Sequence, residues 1–399
     1  MVVAKSVLSF LSLALPRISL FSAVDFKLRD SPFMRTLLLA VSMLVAGPAF
    51  ADDWTGKTVI TKRNGIRIGH SEGDGRQVFT AELKLFDFQV RKDRDGYLLI
   101  AFAGQEDWAP KSEFVLLDDA PAFFTEQIQA NPADPVNWHR RGVAWRLKNN
   151  VDAAIRDFDE SLRLSPDPAV FLSRGNALFA KGEIDRAIRD FNETIRLDPK
   201  AVDAFNNRGL AWAGKRDFDA AIRDYSEAIR LDPKSALAFN NRGIAWASKQ
   251  DFDRAIRDYD EAIRLDPSSS AVYANRGYAR SAKADYDRAL LDYDEAIRLD
   301  PKSAYALSNR GIAWARTKEF DRALRDLDQA IQLNPNDSAA WYFRAIALNR
   351  QNKSALALES LEKALALGWR HFEYMEKDPD LDSLRADPAY KALVAKYQK

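Results

Sequence analysis

The chain has 399 residues, a formal net charge of +1, 47% hydrophobic residues and no cysteine. The length allows two or three domains, and the apolar fraction allows a buried core. Near-neutral charge argues against bulk electrostatic binding to nucleic acid, and the missing thiols exclude disulfides, thiol nucleophiles and thiolate metal sites.

In chain order, the first feature is Met34-Arg35-Thr36, followed by LLLAVSMLVA and GPAFA. A basic start, a short apolar run and small residues at Ala49 and Ala51 make a secretory leader over 34–51, with cleavage after Ala51. The apolar run is too short to span a bilayer, which takes about 20 residues. Residues 1–33 read as a misassigned upstream extension. Removing 1–51 takes away five Lys/Arg and two Asp/Glu, leaving a charge of −2. The expectation is a periplasmic or secreted protein with no membrane span after leader cleavage.

Residues 52–118 alternate short β-type runs (KTVITKR, QVFTAELKLFDFQV, YLLIAFAG, FVLL) with turn signals at Asn64-Gly65, Gly73–Gly75 and Asp95-Gly96. Five or six strands in so short a segment predict a small all-β barrel. Asp93–Gly96 lacks most ligands of a calcium loop and reads as a hairpin turn. The run Gly104-Gln105-Glu106-Asp107-Trp108-Ala109 resembles the Gly-x-x-Gly-Trp-Val element of bacterial SH3-like domains, with Asp107 where glycine is usual. That resemblance implies a second interaction module, with a cell-wall peptide as one possible ligand.

From Pro132 onward, prolines mark a period. Pro166, Pro199, Pro233, Pro267, Pro301 and Pro335 are spaced by 33 and then by 34 residues, which signals stacked helix pairs. With each proline as position 32, position 8 is glycine in six units (Gly142 to Gly311) and Ala345 in the seventh. Positions 10 and 20 are alanine throughout, and positions 4 and 24 hold large apolar residues such as Phe239 and Tyr259. Glycine within a helix costs about 1 kcal/mol against alanine, so its repetition implies a packing need. The pattern resembles the tetratricopeptide repeat family over roughly residues 119–369. It implies a mainly α fold: a right-handed α-solenoid of helix pairs, with seven repeats over 135–369, preceded by the small barrel.

APAFFTEQIQANP fits the second half of a repeat, with Ala120, Phe124 and Pro132 at positions 20, 24 and 32. Residues 119–134 therefore predict a capping helix that fastens the array to the preceding domain. Residues 370–399 predict C-terminal capping helices. Asp387-Pro388 starts one whose apolar side is Leu393, Val394 and Tyr397, lying over the seventh unit.

The histidines, His70, His139 and His371, are not near one another in sequence, and no nucleophile, metal-binding or phosphate-loop motif occurs. The expectation is a non-enzymatic protein with no cofactor, metal or catalytic residue. What remains is a surface. In the family, positions 2, 5, 6, 9 and 13 of the first helix line an inner groove. Asn206 and Asn240 occupy position 5, and Asn207, Asn241, Asn275 and Asn309 occupy position 6. Leu210, Ile244, Tyr278 and Ile312 occupy position 9. An amide both donates and accepts, so these residues could hold an extended peptide, or tie neighbouring repeats together. Arginine at position 7 of every unit faces aspartate at position 23 in six, which predicts an internal pairing ladder. Positions 5 and 9 lack the lysine by which some relatives grip a C-terminal carboxylate. The expected function is an exported scaffold holding a protein or peptide segment in its groove. The alternative is a cell-wall-targeting protein whose barrel binds peptidoglycan and whose array is a spacer.

Overall fold

The computed structural model describes residues 53–62, 67–71, 77–82, 87–94, 96–102 and 105–398. The leader expected at 34–51, the extension at 1–33 and the turns at Asn64-Gly65 and Gly73–Gly75 lie outside these residues. The chain divides into two compact units, one ending at Leu116 and the other beginning at Leu117.

Among the described residues, the first unit has seven strands: β1 (Thr58–Thr61), β2 (Arg67–Ser71), β3 (Gln77–Glu82), β4 (Asp87–Arg94), β5 (Tyr97–Phe102), β6 (Gln105–Pro110) and β7 (Phe114–Leu116). Their order is β3-β2-β6-β5-β4-β1-β7, and every pair described is antiparallel. Val59, Phe88, Val90, Leu98, Ile100, Ala109 and Phe114 form one core. Phe88 meets Phe114 edge to face, with centroids 6.2 Å apart. The Asp93 carboxylate accepts from Trp54 N at 2.9 Å and Lys111 Nζ at 2.6 Å, joining the start of the unit to the end of β6.

This differs from the expected five or six strands. The run 77–90 splits into β3 and β4. β2 (RIGHS) and β6 (QEDWAP) carry glycine, proline and charges that weaken their strand signal. β6 is instead held by its full register against β5, from Tyr97 opposite Pro110 to Phe102 opposite Gln105. β3 and β7 end the strand order, and no pairing joins them among the described residues.

The second unit opens with a lone helix, α1 (Ala120–Ala130), followed by seven pairs. These are α2 (Pro135–Leu147) with α3 (Val151–Leu164), α4 (Pro168–Ala180) with α5 (Ile184–Leu197), and α6 (Val202–Gly214) with α7 (Phe218–Leu231). Then come α8 (Ala236–Ser248) with α9 (Phe252–Leu265), and α10 (Ser270–Ala282) with α11 (Tyr286–Leu299). The last are α12 (Ala304–Arg316) with α13 (Phe320–Leu333), and α14 (Ser338–Arg350) with α15 (Ser354–Ala366).

Inside each of the first six pairs, the position-24 side chain fills the space left by the position-8 glycine. A Cβ on Gly243 would lie 2.6 Å from the Tyr259 ring, and one on Gly142 would lie 2.5 Å from the Phe158 ring. The two helices meet where the backbone has no side chain to separate them. The connecting turn needs a left-handed residue at position 15. Gly182 supplies it once (φ 84°), whereas Ala284 and five other non-glycine residues adopt φ of 60–65°.

Both ends follow the repeat register. Ala120 and Phe124 are fully buried on α1, so this helix packs as a half-repeat. The C-terminal segment folds as α16 (Phe372–Lys377), a 3-10 turn (Pro379–Leu381), α17 (Asp382–Arg385) and α18 (Pro388–Tyr397). It is a broken eighth repeat. Met375 falls at position 4 and Leu381 at position 10, and both are buried. Pro379 interrupts the first helix, because its ring cannot sit in a helix interior. The Asp387 carboxylate caps α18 by accepting from Ala389 N at 2.8 Å. Leu393, Val394 and Tyr397 pack on the core of the seventh unit.

Candidate functional site

Each first helix has two jobs, which its side chains divide. One face holds the array together; the other meets solvent. The position-7 arginines belong to the first job. Arg208 donates from Nε and Nη2 to the Asp224 carboxylate at 2.8 and 2.7 Å, and from Nη1 to Asn192 Oδ1 of the preceding unit at 2.7 Å. Arg242 repeats this with Asp258 and Ser226, and Arg310 with Asp326 and Asp294. The fork geometry of guanidinium suits one bidentate carboxylate plus a second acceptor. In the seventh unit, Ser360 replaces the aspartate and accepts from Arg344 Nη1 at 2.5 Å. The arginine row is therefore structural, as its spacing predicted.

A second seam runs along the turns, where a lysine closing each of several first helices reaches the preceding unit. Lys148 meets Asp118 at 2.6 Å, Lys181 meets Asp152 at 2.8 Å, and Lys215 meets Asp185 at 2.6 Å. Lys249 pairs with Asp219, and Lys283 with Asp253. Hydrogen bonds from these lysines hold the Asp152, Asp185, Asp219 and Asp253 carboxyls below their ordinary range.

The asparagines divide between the two jobs. Asn241 Nδ2 donates to Asn206 Oδ1 at 3.0 Å, and both side chains are buried. This pair leaves the candidate contact set, because the amide groups close the seam between the third and fourth units. Asn275 Nδ2 donates to Asn240 Oδ1 at 3.1 Å, Asn207 Nδ2 to Asn176 Oδ1 at 2.8 Å, and Asn309 Nδ2 to the Tyr305 carbonyl at 2.8 Å. Asn207, Asn240, Asn275 and Asn309 remain half-buried, each with hydrogen-bonding capacity beyond these contacts. His139 holds the equivalent place in the first unit. Its Nε2 lies 3.0 Å from Ser173 Oγ, and burial lowers its pKa to about 3.

Between the seams runs an exposed apolar stripe. Leu210, Ile244 and Tyr278 at position 9 are 36%, 42% and 45% exposed. Leu237 and Tyr305, at position 2, are exposed; position 2 is among the groove positions implied by the resemblance, but these residues were not singled out. Positions 2, 9 and 13 share one face of a helix, which is the signal that could have found them. Consecutive first helices touch, so the stripe continues from α6 to α12. Ile312 sits lower, packed against the core of the seventh unit. Burial, then Tyr305, Asp258 and Tyr278, pushes up the Tyr259 phenol beneath the stripe. Small residues at position 13, Gly214, Ser248 and Ala282, leave that side of the face open.

Among the described residues, no group of three acidic or histidine side chains could hold a metal, and no helix is long and apolar enough to cross a membrane.

Tetratricopeptide-repeat models match residues 175–215, 213–270, 275–340 and 318–371. A 73-residue segment is 37% identical to tetratricopeptide repeat protein 36 of Caenorhabditis briggsae, covering 18% of this chain and 40% of that relative. A tetratricopeptide repeat protein from Parabacteroides merdae superposes with a TM-score of 0.50 at 15% identity, over 61% of this chain and 96% of that one. The APC/C hetero-tetramer Cut9–Hcn1 superposes with a TM-score of 0.51 at 18% identity, over 71% of this chain and 53% of that one. At these identities the structural likeness concerns the fold.

Proposed function

We propose that this array of tetratricopeptide repeats is a binding scaffold whose working surface is the exposed first-helix stripe of the third to sixth units. One observation carries the reading. Leu210, Leu237, Ile244, Tyr278 and Tyr305 are exposed on one face of consecutive first helices, whereas other exposed apolar residues such as Leu291 and Leu356 stand on second helices. Exposed apolar rows cost solubility and usually mark contact surfaces. Half-buried amides at Asn207, Asn240, Asn275 and Asn309 beside them supply directional bonds to a peptide backbone.

Export follows from the leader over 34–51, and places the partner in the cell envelope or outside it. The β-unit serves as a second interaction module of SH3-like type. The antiparallel sheet, with a core shared by β1, β4, β5, β6 and β7, supports that reading, and a cell-wall peptide is the ligand class for it. The reading is that of a non-enzymatic binding protein.

The test uses the mature full-length chain as bait in envelope extract, beside a Leu210→Ser/Ile244→Ser/Tyr278→Ser variant. The expected result is a defined partner captured by the wild type and lost by the variant, with unchanged circular dichroism in both. Equal capture by the two would reject the stripe. Sedimentation with insoluble wall material, retained by the variant, would assign wall binding to the β-unit.

A further inference from the structure

The stripe ends at a cation. Arg316 occupies position 13 of the sixth unit, one turn beyond Ile312 on the same helix face. Its guanidinium lies over the Phe343 ring at 5.0 Å and the Tyr374 ring at 5.3 Å. The side chain is exposed, and among the described residues no carboxylate pairs with it. That sets it apart from its neighbours. Arg310 and Arg344 hold acids at 2.7 and 2.6 Å, and Arg350, also at position 13, lies 3.5 Å from Asp380. At the opposite end of the stripe, the exposed residue at position 2 of the third unit is Asp203.

A guanidinium carries five N–H donors, so one that rests against two aromatic rings and beside the Tyr374 hydroxyl keeps donors for a planar anion. Resting on the binding role proposed above, we infer that Arg316 anchors the carboxylate of an extended peptide segment whose apolar side chains lie on Tyr278, Ile244 and Leu210. The charge pattern orients that segment, with its acidic end at the sixth unit and its other end near Asp203. The anchor lies at position 13, a groove position at which the sequence singled out no residue. The carboxylate is either an Asp or Glu side chain or a free C-terminus.

The experiment selects a displayed library of random dodecapeptides on the full-length chain, then measures synthetic versions of the enriched peptides by fluorescence anisotropy. Each is made with a free and an amidated C-terminus, and with each acid changed to its amide. Enriched peptides should combine apolar residues with one acid. Arg316→Gln should weaken them by about tenfold and abolish their sensitivity to carboxylate neutralisation. Arg316→Lys should restore part of the loss. The free-terminus and side-chain arms tell which carboxylate binds. Enriched peptides lacking an acid, or equal affinity for Arg316→Gln, would overturn the anchor. If Ile244→Ser still weakened such peptides, the stripe would stand without it. No enrichment on the wild type would reject both.

Discussion

Gly243 shows how little space a residue has to change. Its missing side chain is matched by the Tyr259 ring, which is 1% exposed and has no room to move. Gly243→Ala would add up to about 1 kcal/mol through helix propensity. A Cβ at 2.6 Å from that ring overpacks the core, which costs about 1–3 kcal/mol. Overpacking wins against a fully buried ring, so a net loss of about 1 kcal/mol is expected in urea denaturation. Gly214→Ala is the control: its Cβ would meet nothing within 4 Å, so helix propensity acts alone. A Gly243→Ala array as stable as Gly214→Ala would refute the knob-and-hole account. The seventh unit carries Ala345 opposite Leu361, but a leucine alone does not make room for it: in the sixth unit a Cβ on Gly311 would lie 2.7 Å from Leu327.

Between elements, the array is joined by polar groups as much as by apolar ones, and these joints respond to pH. His139 on α2 contacts Ser173 on α4 and is held neutral by burial, with a pKa lowered from 6.5 to about 3. A group whose folded pKa is depressed below its unfolded value, and whose neutral form is the buried one, lets only the unfolded chain take a proton within that window. Stability is therefore lost as pH falls below 6.5. At pH 5 the loss is about 2 kcal/mol. It should appear as faster amide hydrogen exchange in α2 and α4 between pH 7.5 and 5, after correction for intrinsic rates. His139→Asn, which places in the first unit the residue found at Asn206 and Asn240, should not show it. A variant losing the same protection would place the titration elsewhere. The lysine–aspartate seam acts in a lower window. Its depressed carboxylates contribute above the ordinary carboxylate range and lose their effect as pH falls through their lowered values.

For the molecule as a whole, each repeat is stable only with a neighbour, so the ends decide whether the array stays soluble. At the C-terminus, Trp369 stacks on Tyr342 with centroids 4.4 Å apart, and the Tyr342 hydroxyl bonds to Asp378 at 3.0 Å. Ending the chain at Gly368 would strip this cover from Tyr342, Phe343 and Leu365, which are buried in the intact chain. The truncated protein should lose protection first in α14 and α15 and associate with itself. Monomeric behaviour in analytical ultracentrifugation, with unchanged exchange in that pair, would show that the broken eighth repeat is dispensable.

The sequence by itself determined the helix pairs, their register and the arginine ladder. The reason is that the period is written in residue types that only one packing satisfies: glycine against a ring, and proline after a helix. The β-unit was less legible, because β2 and β6 are held by partner strands rather than by their own propensity. Only the tertiary structure decided the surface. Asn206, Asn207, Asn240 and Asn241 look alike in a string. Yet Asn206 at position 5 and Asn241 at position 6 are buried against each other, while Asn240 and Asn207 at the same two positions keep partial access, so the partner across the seam and not the helix position separates them. Likewise, nothing in the position of Arg316 reveals that Phe343 and Tyr374, from two other helices, hold its guanidinium in place with no carboxylate in ion-pair distance among the described residues.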